Sequence, residues 1–268
     1  MRIGALLLTA ALGASVYAAG RAGVPPLRVC SDPNNLPYSN RNQQGFENKL
    51  AEILALDQHA RLEYVWWAQR RGFLRNTLNA GACDVVMGYP AAADGVRTTR
   101  PYYRSSYMFV TRRSRHLRIR SFNDPVLRTL RIGVQLIGDD GANSPPAHAL
   151  SRRGIVQNLI GYSVYGDYRM NSPPSAIVTA VARGEVDVAA VWGPLAGYFA
   201  ARQPEPLDLV PVQPAVDAQL PQVFDISMAV RRNDTARLTQ LDEFLTRHRI
   251  DIDRILGEYR IPRLEVPR

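Results

Sequence analysis

The chain has 268 residues, 46% of them hydrophobic, and a formal net charge of +9. This length allows one large domain or two small ones, and the hydrophobic fraction is enough to build a proper core. Lys49 is the only lysine, so arginine carries almost all of the positive charge, interspersed with acidic residues. No basic cluster is interleaved with aromatic residues, which disfavours a nucleic-acid-binding protein. A basic surface of this kind favours an acidic protein partner through electrostatic steering.

The first residues have the pattern of an export signal. Met1-Arg2 is a short positive start, and residues 3–12 form an apolar run that is too short to span a bilayer. Residues 16–18, Val-Tyr-Ala, offer a small-residue cleavage site, with residues 18–20 as a second option. We therefore expect residues 1–18 to be a signal peptide and the mature chain to be exported. No later stretch is long and apolar enough to predict a transmembrane segment.

Hydrophobic periodicity in the first part of the chain predicts alternating strands and helices. The predicted elements are a strand at 27–30, a helix at 46–58, a strand at 62–67, a helix at 70–80, and strands at 84–87 and 107–111. Gly81 ends the second helix, as glycine commonly does. The strand at 84–87 is nearly all apolar, which is typical of buried parallel strands.

The loop after the first strand, residues 31–40, is rich in turn-forming and polar side chains. It contains Asp32, Asn34 and Tyr38. Ligands of open α/β sheets bind beyond the carboxyl ends of the strands, so this loop is a candidate cleft wall. A solvated turn between a strand and a helix is the alternative on local grounds.

A second run of alternating elements begins at residue 130. The predicted strands are 130–135, 163–165, 186–191, 207–212 and 224–230, and the predicted helices are 145–151, 173–182, 195–201, 234–248 and 251–259. Residues 81–88 and 184–193 share one pattern, in which an apolar-periodic helix is followed by glycine, two residues, aspartate and a buried strand. This repetition predicts two similar α/β lobes with a cleft between them.

Cys30 and Cys83 are the only cysteines. In an oxidising compartment an even count favours a disulfide, which would stabilise the fold by about 4 kcal/mol in the chain-entropy model. Strand geometry argues the other way. If the two strands are parallel neighbours in simple register, the Cα atoms lie more than about 7 Å apart and cannot be bridged. Both alternatives stay open, with the disulfide favoured.

The order of elements resembles the type II periplasmic binding proteins of the amino-acid-binding branch. Motifs at residues 30–40, 45–49, 69–78, 83–88, 98–105, 138–146 and 191–198 are similar to the MxaJ/XoxJ-type proteins, which are encoded with quinoprotein methanol dehydrogenases. The resemblance implies an α/β fold of two lobes, with mixed, mostly parallel sheets and helices on both faces. Lobe 1 would comprise residues 27–111 plus 224–268 and lobe 2 residues 112–223. Crossover strands at 106–111 and 225–230 would act as the hinge.

The resemblance also implies a function. We expect a periplasmic, non-catalytic accessory factor that binds a PQQ-dependent methanol or alcohol dehydrogenase and assists its maturation or activation. The alternative is an ABC transporter substrate-binding protein for a small polar or aromatic solute, held in the cleft.

Two departures from the amino-acid-binding branch bear on the cleft. Those proteins carry an arginine after the third strand to clamp the ligand carboxylate, whereas residues 89–95 of this chain contain none. They also place an aspartate after the late strand to hold the ligand ammonium, where this chain reads Trp192-Gly193-Pro194. A zwitterion without these partners would be badly desolvated, so we do not expect ordinary amino-acid binding.

Polar and aromatic side chains near the predicted strand ends are the candidate ligand or partner residues of the cleft. They are Asp32, Asn34, Tyr38, Arg70, Tyr89, Arg100, Tyr102, Tyr103, Gln135, Asp139, Asp140 and Trp192. The structural alternatives are solvated acids and arginines, and aromatic rings packed in the core. The four histidines lack the spacing of metal ligands, and no Gly-x-Ser-x-Gly motif occurs. We therefore expect no metal site, no cofactor and no enzymatic activity.

Overall fold

Strands and helices alternate along the chain much as the periodicity predicts. The computed structural model describes residues 24–136, 143–164 and 172–265, so the predicted signal peptide at 1–18 lies outside the described residues. The strands are β1 (Pro26–Ser31), β2 (Asn34–Asn35), β3 (Ser39–Asn40), β4 (Arg61–Trp66), β5 (Val85–Pro90), β6 (Arg97–Thr98), β7 (Tyr103–Arg112), β8 (Ile132–Leu136), β9 (Leu159–Ser163), β10 (Val188–Trp192), β11 (Leu207–Pro211), β12 (Val216–Asp217), β13 (Leu220–Pro221) and β14 (Val223–Val230). The helices are α1 (Phe46–Asp57), α2 (Phe73–Asn76), α3 (Pro145–Ser151), α4 (Ala176–Arg183), α5 (Gly193–Ala200), α6 (Thr235–Arg247) and α7 (Arg249–Glu258).

One mixed sheet joins the two halves of the molecule. Its strand order is β4-β1-β5-β14-β7-β10-β8-β9, with β6 paired to β14 and β11 paired to β7. The triplets β4-β1-β5 and β10-β8-β9 are parallel, whereas β7 and β14 run antiparallel to their neighbours. Residues 103–106 of β7 pair with β14, and residues 107–111 of β7 pair with β10. Thus β7 connects the half that contains β1 to the half that contains β8.

Helices cover both faces of the sheet because their apolar stripes have the helical period. Phe46, Leu50 and Leu54 of α1 recur every four residues, and all three are fully buried against the first half of the sheet. Helices α6 and α7 contribute Phe244 and Ile255 to the same cluster. In the second half, α3 packs in one cluster, and α4 and α5 pack in another. The fold is therefore α/β, as predicted.

The repeated glycine–x–x–aspartate pattern has one structural role in both halves. In the first half, Arg28 on β1 donates from Nη2 to Oδ1 of Asp84 (2.7 Å). It also donates from Nη1 to the carbonyl oxygen of the glycine three residues before Asp84 (3.1 Å). In the second half, Arg131 makes the matching bonds to Oδ2 of Asp187 (3.3 Å) and to the corresponding glycine carbonyl (2.8 Å). Each aspartate thereby ties the turn before one strand to the start of its neighbour.

The structure contains the disulfide between Cys30 and Cys83, whose Cα atoms are 5.5 Å apart. A separation beyond bridging reach would require Cys83 to begin a strand in simple register. Instead Cys83 lies two residues before β5, between bends at residues 82 and 84, and Cys30 pairs in register with Val86. These bends bring the two Cβ atoms within bridging reach.

Two predicted elements differ from those observed. The helix predicted at 70–80 is reduced to α2, because Gly72 before it and Gly81 after it adopt left-handed backbone and Thr77 leaves the helical region. Leu78 is nevertheless fully buried, so its apolar signal came from packing and not from a long helix. The strand predicted at 163–165 is β9, which begins earlier and lies at the sheet edge, where half-exposed residues weaken the periodic signal.

Candidate functional site

A cavity of about 360 Å³ lies between the two halves of the sheet. Residues near the carboxyl ends of β1, β4, β8 and β10 contribute to its wall, as expected for an open α/β sheet. Its aromatic lining residues are Tyr38, Tyr89, Tyr103, Tyr107, Trp192 and Phe224. Its polar lining residues include Asn35, Glu47, Gln69 and Gln135. The cavity is thus mostly aromatic, with a few polar groups at defined places.

Three aromatic rings form a cluster at the junction of the halves. The ring of Trp192 packs edge-to-face on Tyr107 (centroids 5.4 Å apart) and on Phe224 (5.6 Å). The backbone N–H of Trp192 donates to Oε1 of Gln135 (2.7 Å), which fixes the end of β10 against β8. The next residue, Gly193, has to be glycine because a Cβ at this position would lie 2.7 Å from the carbonyl oxygen of Ser106. The Trp-Gly-Pro segment therefore places an aromatic ring in the cavity wall.

Asp32 organises the loop that follows β1. It is buried and accepts hydrogen bonds from the backbone N–H of Asn34 (2.8 Å) and of Gln69 (2.7 Å). Burial raises the pKa of Asp32, and these two hydrogen bonds partly oppose that rise. Because the carboxyl is engaged by backbone donors, Asp32 holds the loop to the segment after β4 and is not part of the cavity lining. This position fits the structural alternative for Asp32.

Glu47 is a buried acidic residue of the cavity that the sequence did not predict. Its side chain is 6% exposed, and burial, together with the carboxylate of Asp32, raises its pKa to about 8. A Cβ on Gly88 would overlap Oε1 of Glu47, so the glycine at this point of β5 makes room for the carboxyl. An acidic side chain in the first turn of a helix is usually explained by its favourable interaction with the helix dipole, and such a side chain is expected to face solvent. The signal that could have revealed its burial is its spacing to Ala51 and Leu54, which lie on the same buried face of α1.

The raised pKa of Glu47 predicts a pH-dependent stability. The unfolded chain releases the carboxyl proton near the ordinary pKa of 4.5, whereas the folded protein retains it up to about pH 8. The free energy of unfolding therefore falls as the pH rises from 4.5 to about 8 and levels off above that. For one such group the loss between pH 7 and pH 9 is about 1.4 kcal/mol. Urea unfolding of the wild-type protein and of Glu47→Gln at both pH values should show a smaller loss for the variant. Equal losses would contradict a buried, protonated Glu47.

The structure gathers some of the predicted cleft residues at the cavity and places others elsewhere. Tyr38, Tyr89, Tyr103, Gln135 and Trp192 line the cavity. Tyr102 lies behind the wall, where its hydroxyl donates to the carbonyl oxygen of Met87 (2.9 Å). Asp139 and Asp140 lie outside the described residues.

The expected position of Arg100 in the cleft needs correction. Its backbone N–H donates to Oδ1 of Asp242 (2.9 Å), and its guanidinium bonds the carbonyl oxygen of Asp242 and the hydroxyl of Thr246, both on α6. Arg100 precedes β7 and points toward this helix, away from the cavity. Its partners lie more than 140 residues further along the chain, so local sequence could not reveal them.

A groove on the surface contains the remaining predicted residues. Asn34 and Arg70 line it together with Arg41, Trp66 and Trp67, and we call this surface the tryptophan groove. The guanidinium of Arg41 lies 5.9 Å from the ring centroid of Trp66, and Trp67 is 44% exposed. An exposed tryptophan beside arginines is typical of protein-binding surfaces.

Metal and membrane features are absent from the part of the chain that the structure describes. Within it, no group of three or more histidine, cysteine, aspartate or glutamate side chains could hold a metal ion. In the same residues, no helix combines the length and the apolarity needed to cross a bilayer.

Comparisons with known proteins identify the family. No family model matches the chain. Protein MoxJ of Methylorubrum extorquens strain AM1 is 31% identical over 253 residues, which are 90% of this chain and 82% of that protein. The crystal structure of MxaJ from Methlophaga aminisulfidivorans MPT matches with a TM-score of 0.76 and 30% identity, covering 89% of this chain and 100% of that one. The periplasmic binding protein XoxJ from Methylobacterium extorquens AM1 matches with a TM-score of 0.72 and 32% identity, covering 90% and 100%.

These relatives confirm both the resemblance that the motifs predicted and the fold class. The identity extends over 90% of the chain, and the solved relatives share its arrangement of strands and helices. The chain therefore belongs to the MoxJ family, whose members MxaJ and XoxJ have the type II periplasmic binding protein fold.

Proposed function

We propose that this protein is a periplasmic accessory factor that binds a PQQ-dependent methanol or alcohol dehydrogenase and assists its maturation or activation. Its family membership and the predicted signal peptide support this role, and its relative XoxJ is a periplasmic binding protein. We expect no catalytic activity of its own.

The observation that carries the proposal is the character of the cavity wall. Among the described residues that line it, none is an arginine or a lysine, and Trp192 stands where a ligand-binding aspartate would be expected. An amino acid would have to bring its carboxylate into this aromatic wall without a cationic partner, at a cost of several kcal/mol. Transport of amino acids is therefore disfavoured, which leaves recognition of another protein as the better explanation for the retained fold.

The proposal includes the two-lobe division at 27–111 plus 224–268 and 112–223, with β7 and β14 as the hinge. Two features support it. The chain passes between the halves through β7 and β14, and the cavity lies between those halves. Closure about these strands would couple events at the cavity to the outer surfaces of both lobes.

Biolayer interferometry tests the accessory role directly. The mature protein, starting at Ala19, is immobilised and exposed to the cognate dehydrogenase in its apo and holo forms at low and high salt. We expect tighter binding of the apo enzyme, as a maturation factor requires, and weaker binding at high salt because the attraction involves an arginine-rich surface. Absence of binding to either form would overturn the proposal.

The tryptophan groove is the surface that we expect to contact the dehydrogenase. Replacing Trp67 by alanine removes its exposed ring and should weaken binding about tenfold, equivalent to about 1.4 kcal/mol. Ile250 on α7 is 84% exposed, so Ile250→Ala is a matched control that removes apolar surface elsewhere. Interferometry of both variants measures the difference. Equal affinities for wild type and Trp67→Ala would place the contact on another surface.

Uptake of a small polar or aromatic solute is the second candidate, because aromatic rings dominate the cavity wall. A thermal-shift screen across a broad solute panel tests solute uptake. A flat response and no co-purified small molecule would count against uptake. Neighbouring genes also discriminate: a dehydrogenase and a cytochrome c favour the accessory role, whereas a permease and an ATPase favour transport.

A further inference from the structure

A buried acceptor without a hydrogen bond and a buried carboxyl lie in the cavity wall. Asn35 is 3% exposed, and its Nδ2 donates to Oε1 of Gln69 (3.2 Å), but its Oδ1 has no partner among the described residues. Glu47 lines the same cavity and is 6% exposed. Buried acceptors without donors are rare and costly in folded proteins. The amide oxygen of Asn35 therefore calls for an N–H donor from a bound molecule, and the carboxyl of Glu47 in the same wall is a second group that such a molecule could meet.

The surroundings of these acceptors favour positive charge. Tyr38, Tyr103 and Trp192 contribute rings to the same wall, and the electron-rich faces of such rings attract cations. No arginine, lysine or histidine occurs among the described lining residues, so an anion would find no counter-ion there. The carboxylate of Asp32 lies near enough to influence Glu47 and adds to the negative potential.

We propose that this cavity binds a small organic monocation, a primary ammonium group on an apolar or aromatic body, with Glu47 and Asn35 accepting its N–H groups and the aromatic rings enclosing its body. A volume of about 360 Å³ accommodates a molecule of this kind. The lack of a cationic lining residue excludes amino acids, whose carboxylate would be unpaired. This inference goes beyond the proposed function and does not depend on binding to a dehydrogenase.

Binding of such a cation changes the protonation state of Glu47. In the empty cavity at neutral pH the carboxyl of Glu47 holds its proton, because burial and Asp32 raise its pKa. An entering ammonium ion forms an ion pair with the carboxylate, and the carboxyl proton leaves to solvent. The other titratable groups that face Glu47 are the hydroxyls of Tyr64, Tyr102 and Tyr103, which stay protonated at neutral pH. Binding should therefore release about one proton at pH 7.

Isothermal titration calorimetry with three probes of similar shape tests the inference: benzylamine, benzyl alcohol and benzoate. We expect benzylamine to bind at least tenfold more tightly than the other two. Titrations in two buffers of different ionisation enthalpy should show release of close to one proton at pH 7. No binding of benzylamine, or equal binding of benzyl alcohol without proton release, would overturn the proposal.

Single substitutions test whether the amine binds at Glu47. Glu47→Gln should weaken benzylamine binding at least tenfold and abolish the proton release, while leaving benzyl alcohol unaffected. Glu52→Gln, on the exposed side of the same helix where Glu52 pairs with Lys49 (2.9 Å), is the matched control and should bind as wild type. If Glu47→Gln does not fold, Trp192→Leu provides a second test, with the same expected loss of amine binding. Unchanged amine affinity in Glu47→Gln or Trp192→Leu would contradict an amine site at this cavity. No dehydrogenase is present in the titration, so a negative result would leave the accessory role unaffected.

Discussion

Replacing both Cys30 and Cys83 by alanine should lower the free energy of unfolding by about 4 kcal/mol. The disulfide closes a loop with a sequence separation of 53 residues, and both side chains are buried with Phe73 and Leu78. Without the bond, the unfolded chain regains the entropy that this long loop had lost. Alanine avoids the cost of a buried hydroxyl that serine would bring. Urea unfolding of the oxidised wild-type protein and of the double variant measures the difference.

The reducing agent dithiothreitol provides the control. It should destabilise the wild-type protein toward the level of the double variant and leave the variant itself unchanged. A double variant within about 1 kcal/mol of the oxidised wild type would mean that the closed loop contributes little, as happens when the unfolded state retains structure. The disulfide also fixes the end of β1, where the cavity loop at 31–40 begins. We therefore expect weaker ligand or partner binding by the variant as well.

Much of the fold could be predicted because its signals are local. The stripe of Phe46, Leu50 and Leu54 has the helical period, and the nearly all-apolar segment 84–87 predicts a buried strand. The aspartates at 84 and 187 belong to one repeated pattern, and the structure shows why, since each holds a neighbouring arginine. Local pattern and tertiary role agree at these positions.

The positions that could not be predicted depend on contacts distant in sequence. Whether Cys30 and Cys83 can bond depends on a bend before β5, which no periodicity reveals. The position of Arg100 next to the crossover strand predicts a place in the cleft, but its partners come from α6. Glu47 was overlooked because an acid at the start of a helix usually faces water. Its burial arises from β5, where Gly88 leaves room for it.

The candidate cavity was predictable in outline and not in its chemistry. The turn-rich loop after β1 and the Trp-Gly-Pro segment after β10 indicated its two walls, because strand ends attract binding sites in α/β sheets. The loss of the charged anchors for amino acids could also be read from those segments. The groups that give the cavity its preference are recognisable only in three dimensions, Asn35 from its missing partner and Glu47 from its burial.

Replacing Asp84 by alanine should lower the free energy of unfolding by about 2–3 kcal/mol at neutral pH. Asp84 is 5% exposed and accepts hydrogen bonds from the backbone N–H (3.2 Å), Nε (3.1 Å) and Nη2 (2.7 Å) of Arg28, with Arg231 adding a longer contact (3.4 Å). Removing the carboxylate leaves these donors without their acceptor. Because the side chain of Arg28 is 37% exposed, water compensates part of the loss, and the cost stays below that of a fully buried pair.

The pH dependence of this effect distinguishes the carboxylate from simple packing. Burial alone would raise the pKa of Asp84, but the hydrogen bonds from Arg28 outweigh it and lower the pKa below the ordinary value of 3.8. The stabilisation is therefore present at neutral pH and lost as the pH falls through the lowered pKa, so wild type and Asp84→Ala should converge in acid. Asp208→Ala is the matched control. Its carboxylate forms an exposed pair with Arg113 (2.9 Å), which should contribute at most about 1 kcal/mol. A deficit of Asp84→Ala that persists unchanged in acid would show that Asp84 acts through its shape and not through its charge.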